Sequence, residues 1–128
     1  MTATERAIEL VTTAAKAASD KLASNLLAFD VSEQLVITDA FLVASAANDR
    51  QVKAVVDEIE DRLRELGAKP VRREGVRDGR WALLDYADIV VHVQHAEERQ
   101  YYALERLWRD CPIIDVTDAV GPTGNQAP

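Results

Sequence analysis

The chain reads as one α/β domain, a mixed sheet of about five strands flanked by helices. Three observations predict this. Apolar residues recur at helical spacing in three separate stretches. Runs rich in Val, Ile, Leu and Phe stand between those stretches, and the order along the chain is helix, strands, helix, strands, helix. With 128 residues there is enough chain for a single core and too little for two. Residues 1–116 are expected to form the domain and residues 117–128 a mobile tail, since Gly121 to Pro128 has nothing to bury.

The first helix is expected to open at Thr2, whose hydroxyl would pair with the Glu5 carboxylate in a capping box. Ile8, Val11, Ala15, Ala18 and Leu22 then make one apolar stripe, with Lys16, Asp20 and Lys21 turned to solvent. Residues 25–31, 35–38 and 41–46 read as three strands. Ser45 and Asn48 are suited to cap the next helix. There Val52, Val55, Val56, Ile59, Leu63 and Leu66 give the cleanest helical period of the chain, and Gly67 supplies the left-handed stop. A short strand follows at 69–73, a turn at Asp78-Gly79 and a hairpin from Trp81 to Val93. The third helix spans 96–109, with Tyr101, Leu104 and Trp108 as its stripe, and 113–116 adds an extended segment.

Hydrophobic residues make up 48% and charged residues 29% of the chain, the balance of a soluble globular protein. Its apolar runs are too short to span a bilayer and its first residues lack the pattern of a secretory signal, so a cytoplasmic protein with no membrane partner is expected. Cys111 has no second cysteine to pair with. The net charge of -7 is the wrong field for direct nucleic-acid readout and the right one for a basic protein partner. Arg72, Arg73, Arg77 and Arg80 form the one basic cluster and read as a solvated turn.

The hairpin is the most informative stretch. With Tyr86 and Ala87 as its tip, Leu84 faces Ile89 and Ala82 faces Val91 on a purely apolar side. The other side carries Trp81, Leu83, Asp85, Asp88, Val90 and His92. An indole beside carboxylates and an imidazole suits a surface that meets a partner better than a merely solvated one.

Catalytic chemistry finds little support. Asp85, Asp88, His92 and His95 are the residue types of an acid/base or metal set, but strand alternation sends His92 and His95 to opposite faces. Asp85, Asp88 and Asp39 read as turn residues. Ser45 to Arg50 stands where a phosphate loop would, yet it has no glycine and places Asp49 at the helix entrance. Arg99 and Glu105 read as a solvated helix face. No nucleophile has an adjacent base, so no catalytic residue, metal or cofactor is assigned.

Trp81-x-Leu-Leu-Asp-Tyr-x-Asp-Ile-Val-Val-His92, with Glu98-Arg99, Tyr102, Leu104-Glu105 and Leu107-Trp108 after it, resembles the ribosomal silencing factors, or Iojap-like proteins. So does the earlier stretch from Ile37-Thr-Asp39 through Ser45 to Asp49-Arg-Gln-Val52. Three places depart from that pattern: Ala87 stands where the family usually has Gly, Ala46-Ala-Asn48 where it has Gly-Thr-Ser or similar, and Gln94 where it has an aromatic residue or Met. The resemblance implies a fold similar to nucleotidyltransferases without their catalytic motif. It also implies a protein that binds the large ribosomal subunit through its fourteenth protein, keeps the small subunit from joining and lowers translation when nutrients are scarce. By the same resemblance the contact falls on Trp81, Tyr86, Ala87 and Asp88. Two other classes stay open: a nucleotide- or metal-binding enzyme of this fold, and a regulatory module that homodimerises off the ribosome through the Trp81 face.

Overall fold

Helix α1 (Glu5–Asp20) opens two residues later than a capping box from Thr2 would place it. Thr4 is its cap, with Oγ1 accepting from the Ala7 amide at 3.1 Å. The capping box expected between Thr2 and Glu5 therefore gives way to a simple Thr4 cap, because Glu5 is already the first helical residue. The buried face runs through Ala7, Leu10, Val11, Ala14, Ala15, Ala17 and Ala18, so the apolar stripe is rotated from the expected one. Ile8 and Leu22 lie outside it, 36% and 67% exposed. Leu22 has φ +67°, and the chain ends α1 there in a Schellman motif: the Leu22 amide donates to the Ser19 carbonyl and the Ala23 amide to that of Ala18.

The computed structural model describes residues 3–75, 80–96 and 110–116. After α1 come strands β1 (Ser24–Asp30) and β2 (Ala40–Ala46), helix α2 (Asp49–Glu65), and strands β3 (Arg72–Glu74), β4 (Trp81–Asp85), β5 (Ile89–His95) and β6 (Ile113–Ile114). Among the described residues the strands form one six-stranded sheet in the order β3-β4-β5-β2-β1-β6. The central pair, β2 with β5, is parallel, and every other pairing is antiparallel. The expected mixed α/β sheet is thus present, with one strand more than predicted. The third helix expected over 96–109 lies outside the described residues from 97 onward, as do Arg77, the Asp78-Gly79 turn and the tail at 117–128.

Helix α2 follows the sequence closely. Asn48 caps it, Oδ1 accepting from the Gln51 amide at 2.8 Å. Val52, Val55, Val56, Ile59 and Leu63 are fully buried, and Gly67 takes φ +81° in a second Schellman motif. Ser45 is not a cap: it lies inside β2 and is 1% exposed. The two helices are tied by Arg62, which donates to Asp20 at 2.5 Å and to Glu58 at 2.7 Å. Those hydrogen bonds, from Asp20 first and Glu58 second, hold its guanidinium pKa above the usual value.

Alternation divides the sheet into two faces. Leu26, Ala28, Leu42, Ala44, Leu84, Ile89 and Val91 join the buried residues of α1 and α2 in the main core. Phe29, Val31, Phe41 and Val43 form a second cluster on the far face, with Leu27, Val90 and Cys111 packed against it.

The strand expected at 35–38 is a loop. Strand β1 turns back to pair directly with β2, Phe29 beside Phe41, and the Val31 amide closes the neck on the Asp39 carbonyl at 2.9 Å. Residues 35–38 are left with no ladder to join, so their apolar character cannot make a strand. The short strand expected at 69–73 falls at Arg72–Glu74, because Val71 and its neighbours approach the free edge of β4 only there.

Candidate functional site

The β4–β5 hairpin is where the chemistry-bearing residues gather. Its register pairs Trp81 with Gln94, Leu83 with His92, Leu84 with Val91 and Asp85 with Val90. The Tyr86 amide donates to the Ile89 carbonyl at 2.9 Å, so the tip is Ala87-Asp88 and not Tyr86-Ala87. The slip is by two positions in the pairing, an even number. Each side chain therefore stays on its expected face, and only the facing partners change.

At the tip the Asp88 amide reaches back to the Tyr86 carbonyl at 2.8 Å. With Ala87 at φ +69°, this is a γ-turn centred on an alanine, a strained conformation for a residue with a Cβ. Asp85 supports it, its Oδ1 accepting from the Ala87 amide at 2.8 Å. Asp85 and Asp88 do not face each other across the turn, and Asp88 is exposed.

On the core side Ala82, Leu84, Ile89, Val91 and Val93 are fully buried. Tyr86 joins them at 6% exposure. Its ring therefore points toward the helices. Burial, reinforced by the nearby Glu60 carboxylate, pushes its phenol up to about 12. The hydroxyl has no hydrogen-bond partner among the described residues.

The opposite side is mixed. Trp81, Leu83, Asp85 and Val90 are half-buried, and His92 is buried. The Trp81 indole meets the His92 ring edge-on, with centroids 5.8 Å apart and planes at 78°. Gly75, at φ +76°, lies against the same indole: a Cβ there would stand 2.6 Å from the Trp81 carbonyl oxygen and 2.7 Å from its ring. The indole is thus held between an imidazole and a backbone that only glycine provides. Sequence reasoning passed over Gly75, although a lone glycine just before a hairpin was the available signal.

Gln94 sits on this side too, 1% exposed, and its Oε1 has no partner among the described residues. His95 points to the other face from His92 and, with Asn48, Asp49, Arg50 and Arg80, lines an open polar cavity of about 510 Å³. Of the basic cluster, Arg73 pairs with Glu60 at 2.8 Å and Arg72 with Glu74 at 3.4 Å. Among the described residues no group of three His, Cys, Asp or Glu side chains converges on a metal position. No helix among them is long and apolar enough to cross a membrane.

The family model described as "Ribosomal silencing factor during starvation" matches residues 4–128, which include the whole hairpin. The chain belongs to the ribosomal silencing factor family. The Ribosomal silencing factor RsfS of Bacillus subtilis is 43% identical over 103 residues, covering 80% of this chain and 87% of that protein. The factor of the same name from Halalkalibacterium halodurans is 37% identical over 112 residues, covering 88% and 96%. A Chromobacterium violaceum protein of known crystal structure is 34% identical, with a TM-score of 0.76 over 79% of this chain and 84% of that one. The silencing-factor fold is therefore shared along with the sequence, and the family role is regulatory.

Proposed function

We propose that this silencing factor docks on the large ribosomal subunit through the subunit's fourteenth protein, using the far side of the β4–β5 hairpin, and keeps the small subunit from joining. The observation that carries this reading is the contrast across the hairpin. One side is a packed core, while the other holds Trp81 fixed by His92 and Gly75 yet half-exposed beside Leu83 and Val90. A pre-organised aromatic ringed by aliphatics is the usual anchor of a protein interface. Ala87, Asp88 and Asp85 lie at the tip, and the chain's net charge of -7 favours encounter with a basic ribosomal protein.

The proposed mechanism needs no chemistry. Subunit joining requires two large surfaces to meet flush, and a folded domain seated on one of them excludes the other by volume. Silencing is then stoichiometric, with no catalytic turnover, metal or cofactor.

Co-sedimentation with isolated large subunits tests the reading. The wild-type chain should pellet with them, and Trp81→Ala should bind more weakly by about 2 kcal/mol or more while remaining folded. In a purified translation system, inhibition should follow the ratio of factor to large subunits. Loss of thermal stability with unchanged ribosome affinity would make Trp81 a structural residue and overturn the assignment. Inhibition by one factor acting on many ribosomes would point to an enzyme.

A further inference from the structure

The loop between β1 and β2 carries three consecutive apolar side chains that the core does not use. Leu35 is 36% exposed, Ile37 74% and Val36 101%. Leu35 is largely covered, but Val36 and Ile37 lower solubility and add little to packing, so their presence calls for another use.

This loop is also built rather than slack. Asp30 Oδ1 accepts from the Ser32 amide at 3.0 Å and from the Ser32 hydroxyl at 2.6 Å. The Gln34 and Leu35 amides both donate to the Val31 carbonyl at 2.9 Å. The second Asp30 oxygen accepts from the Ala3 amide, and an Asp39 oxygen from the Thr4 amide, at 2.9 and 3.0 Å. Both ends of the loop are thereby fastened to the start of α1. Burial alone would raise the Asp30 carboxyl, but the Ser32 hydroxyl and the amides of Ala3 and Ser32 outweigh it and hold the group below the usual carboxylate range. The loop is therefore fastened by a carboxylate that stays ionised at neutral pH.

Its position is what matters most. The Asp39 amide donates to the Asp88 carbonyl at 2.8 Å, and Ala40 pairs with Ile89. The neck of the loop is hydrogen-bonded to the hairpin tip, so the apolar crown and the tip stand together at one end of the sheet. Carboxylates of Glu33, Asp85 and Asp88 belong to the same end.

We propose that Leu35, Val36 and Ile37 form a second contact element, which seats in an apolar, basic-rimmed depression on the same partner protein that the hairpin meets. The inference rests on the docking reading above. Continuity with the hairpin tip and the acidic flank of the crown select this occupant. Two contact elements fixed to one another resist rotation of the bound domain, which a single aromatic anchor does not. Because hydrogen bonds fasten both ends of the crown before binding, less conformational entropy is lost on contact.

The test is sedimentation of the full chain with isolated large subunits at low and high salt, using Val36→Ser with Ile37→Ser. These side chains are exposed, so the melting temperature should not move, and Val36→Lys alone should act in the same direction. Affinity should fall at least about tenfold at both salt concentrations, since apolar contact is not screened, whereas the effect of Asp88→Lys should fade as salt rises. Wild-type affinity in the double variant, with the wild type binding, would overturn the crown and leave the hairpin reading standing. Failure of the wild type to bind would overturn both. A wild-type dimer that the double substitution dissociates, with subunit binding unchanged, would make the crown a self-association surface and overturn the proposal.

Discussion

On the helix side of the β4–β5 hairpin, Ala82, Leu84, Ile89, Val91 and Val93 are all sealed from solvent, while one residue along on each strand Trp81, Leu83, Asp85 and Val90 are half-exposed. The same ten or so residues thus present two sides of opposite character. The sealed side must fill space against α1 and α2, and any aliphatic of the right volume does so. The open side is bordered by strained or unusual local devices: an alanine at φ +69°, and a glycine against which the indole rests. Packing tolerates exchange of similar residues, and the docking role proposed for the open side would not.

Substitutions on the two sides should separate these tasks. The largest effect is expected from Leu84→Ala, which empties space in the main core and should cost about 2–5 kcal/mol in denaturant unfolding. Leu83→Ala, its neighbour on the open side, should cost under about 1 kcal/mol and show itself in ribosome binding instead. Equal losses of stability would erase the distinction between the faces.

Gly75→Ala comes next. Its Cβ would meet the Trp81 carbonyl oxygen and indole at 2.6 to 2.8 Å, and its φ of +76° adds the left-handed penalty. A loss of roughly 2 kcal/mol is expected, together with weaker docking because Trp81 must move. Unchanged tryptophan fluorescence and unchanged binding would show that the indole is not held by this contact.

Two substitutions should stabilise. Ala87→Gly at the tip and Leu22→Gly at the end of α1 each relieve a left-handed residue. Relief of about 1–2 kcal/mol is offset by about 0.4–1 kcal/mol of added freedom in the unfolded chain. A rise in melting temperature is the readout. A fall at Ala87 would mean that the γ-turn is sustained by the methyl group's packing.

The smallest effect at neutral pH belongs to Tyr86→Phe, since the lost hydroxyl has no hydrogen-bond partner among the described residues; the change should stay within about 0.5 kcal/mol. Its alkaline signature is larger. The folded phenol is raised from 10.0 to about 12, so the unfolded state ionises first as pH rises. Tyr86 should therefore cost the wild type stability between pH 10 and 12, and the phenylalanine variant should escape that loss. Parallel pH profiles for the two proteins would place the Tyr86 hydroxyl in solvent.

Helix α2 was legible almost residue by residue, because its period, the Asn48 cap and the Gly67 stop all act within a turn or two of the chain. Helix α1 was less so. Both helices end in the same Schellman motif, but α1 places Leu22 where α2 has Gly67. A leucine in a helical stripe gives no sign that it will leave the stripe. The candidate site was legible in its faces and not in its register: Trp81, Leu83, Asp85, Val90 and His92 lie on the predicted side, but Tyr86 is buried on the core side just past β4 rather than at the tip.

The sequence by itself determined the helical and strand periods, hence which side chains share a face, along with the acidic balance and the motif that marks the family. These are local properties, because side-chain direction repeats every two residues in a strand and every 3.6 in a helix whatever the rest of the chain does. Only the tertiary structure decided that 35–38 is a loop, that the tip is Ala87-Asp88 and that the two lie side by side. Those outcomes depend on which backbone amide finds which carbonyl across the sheet. Asp39 donating to Asp88 joins residues far apart in the chain, and no local pattern encodes the choice of partner.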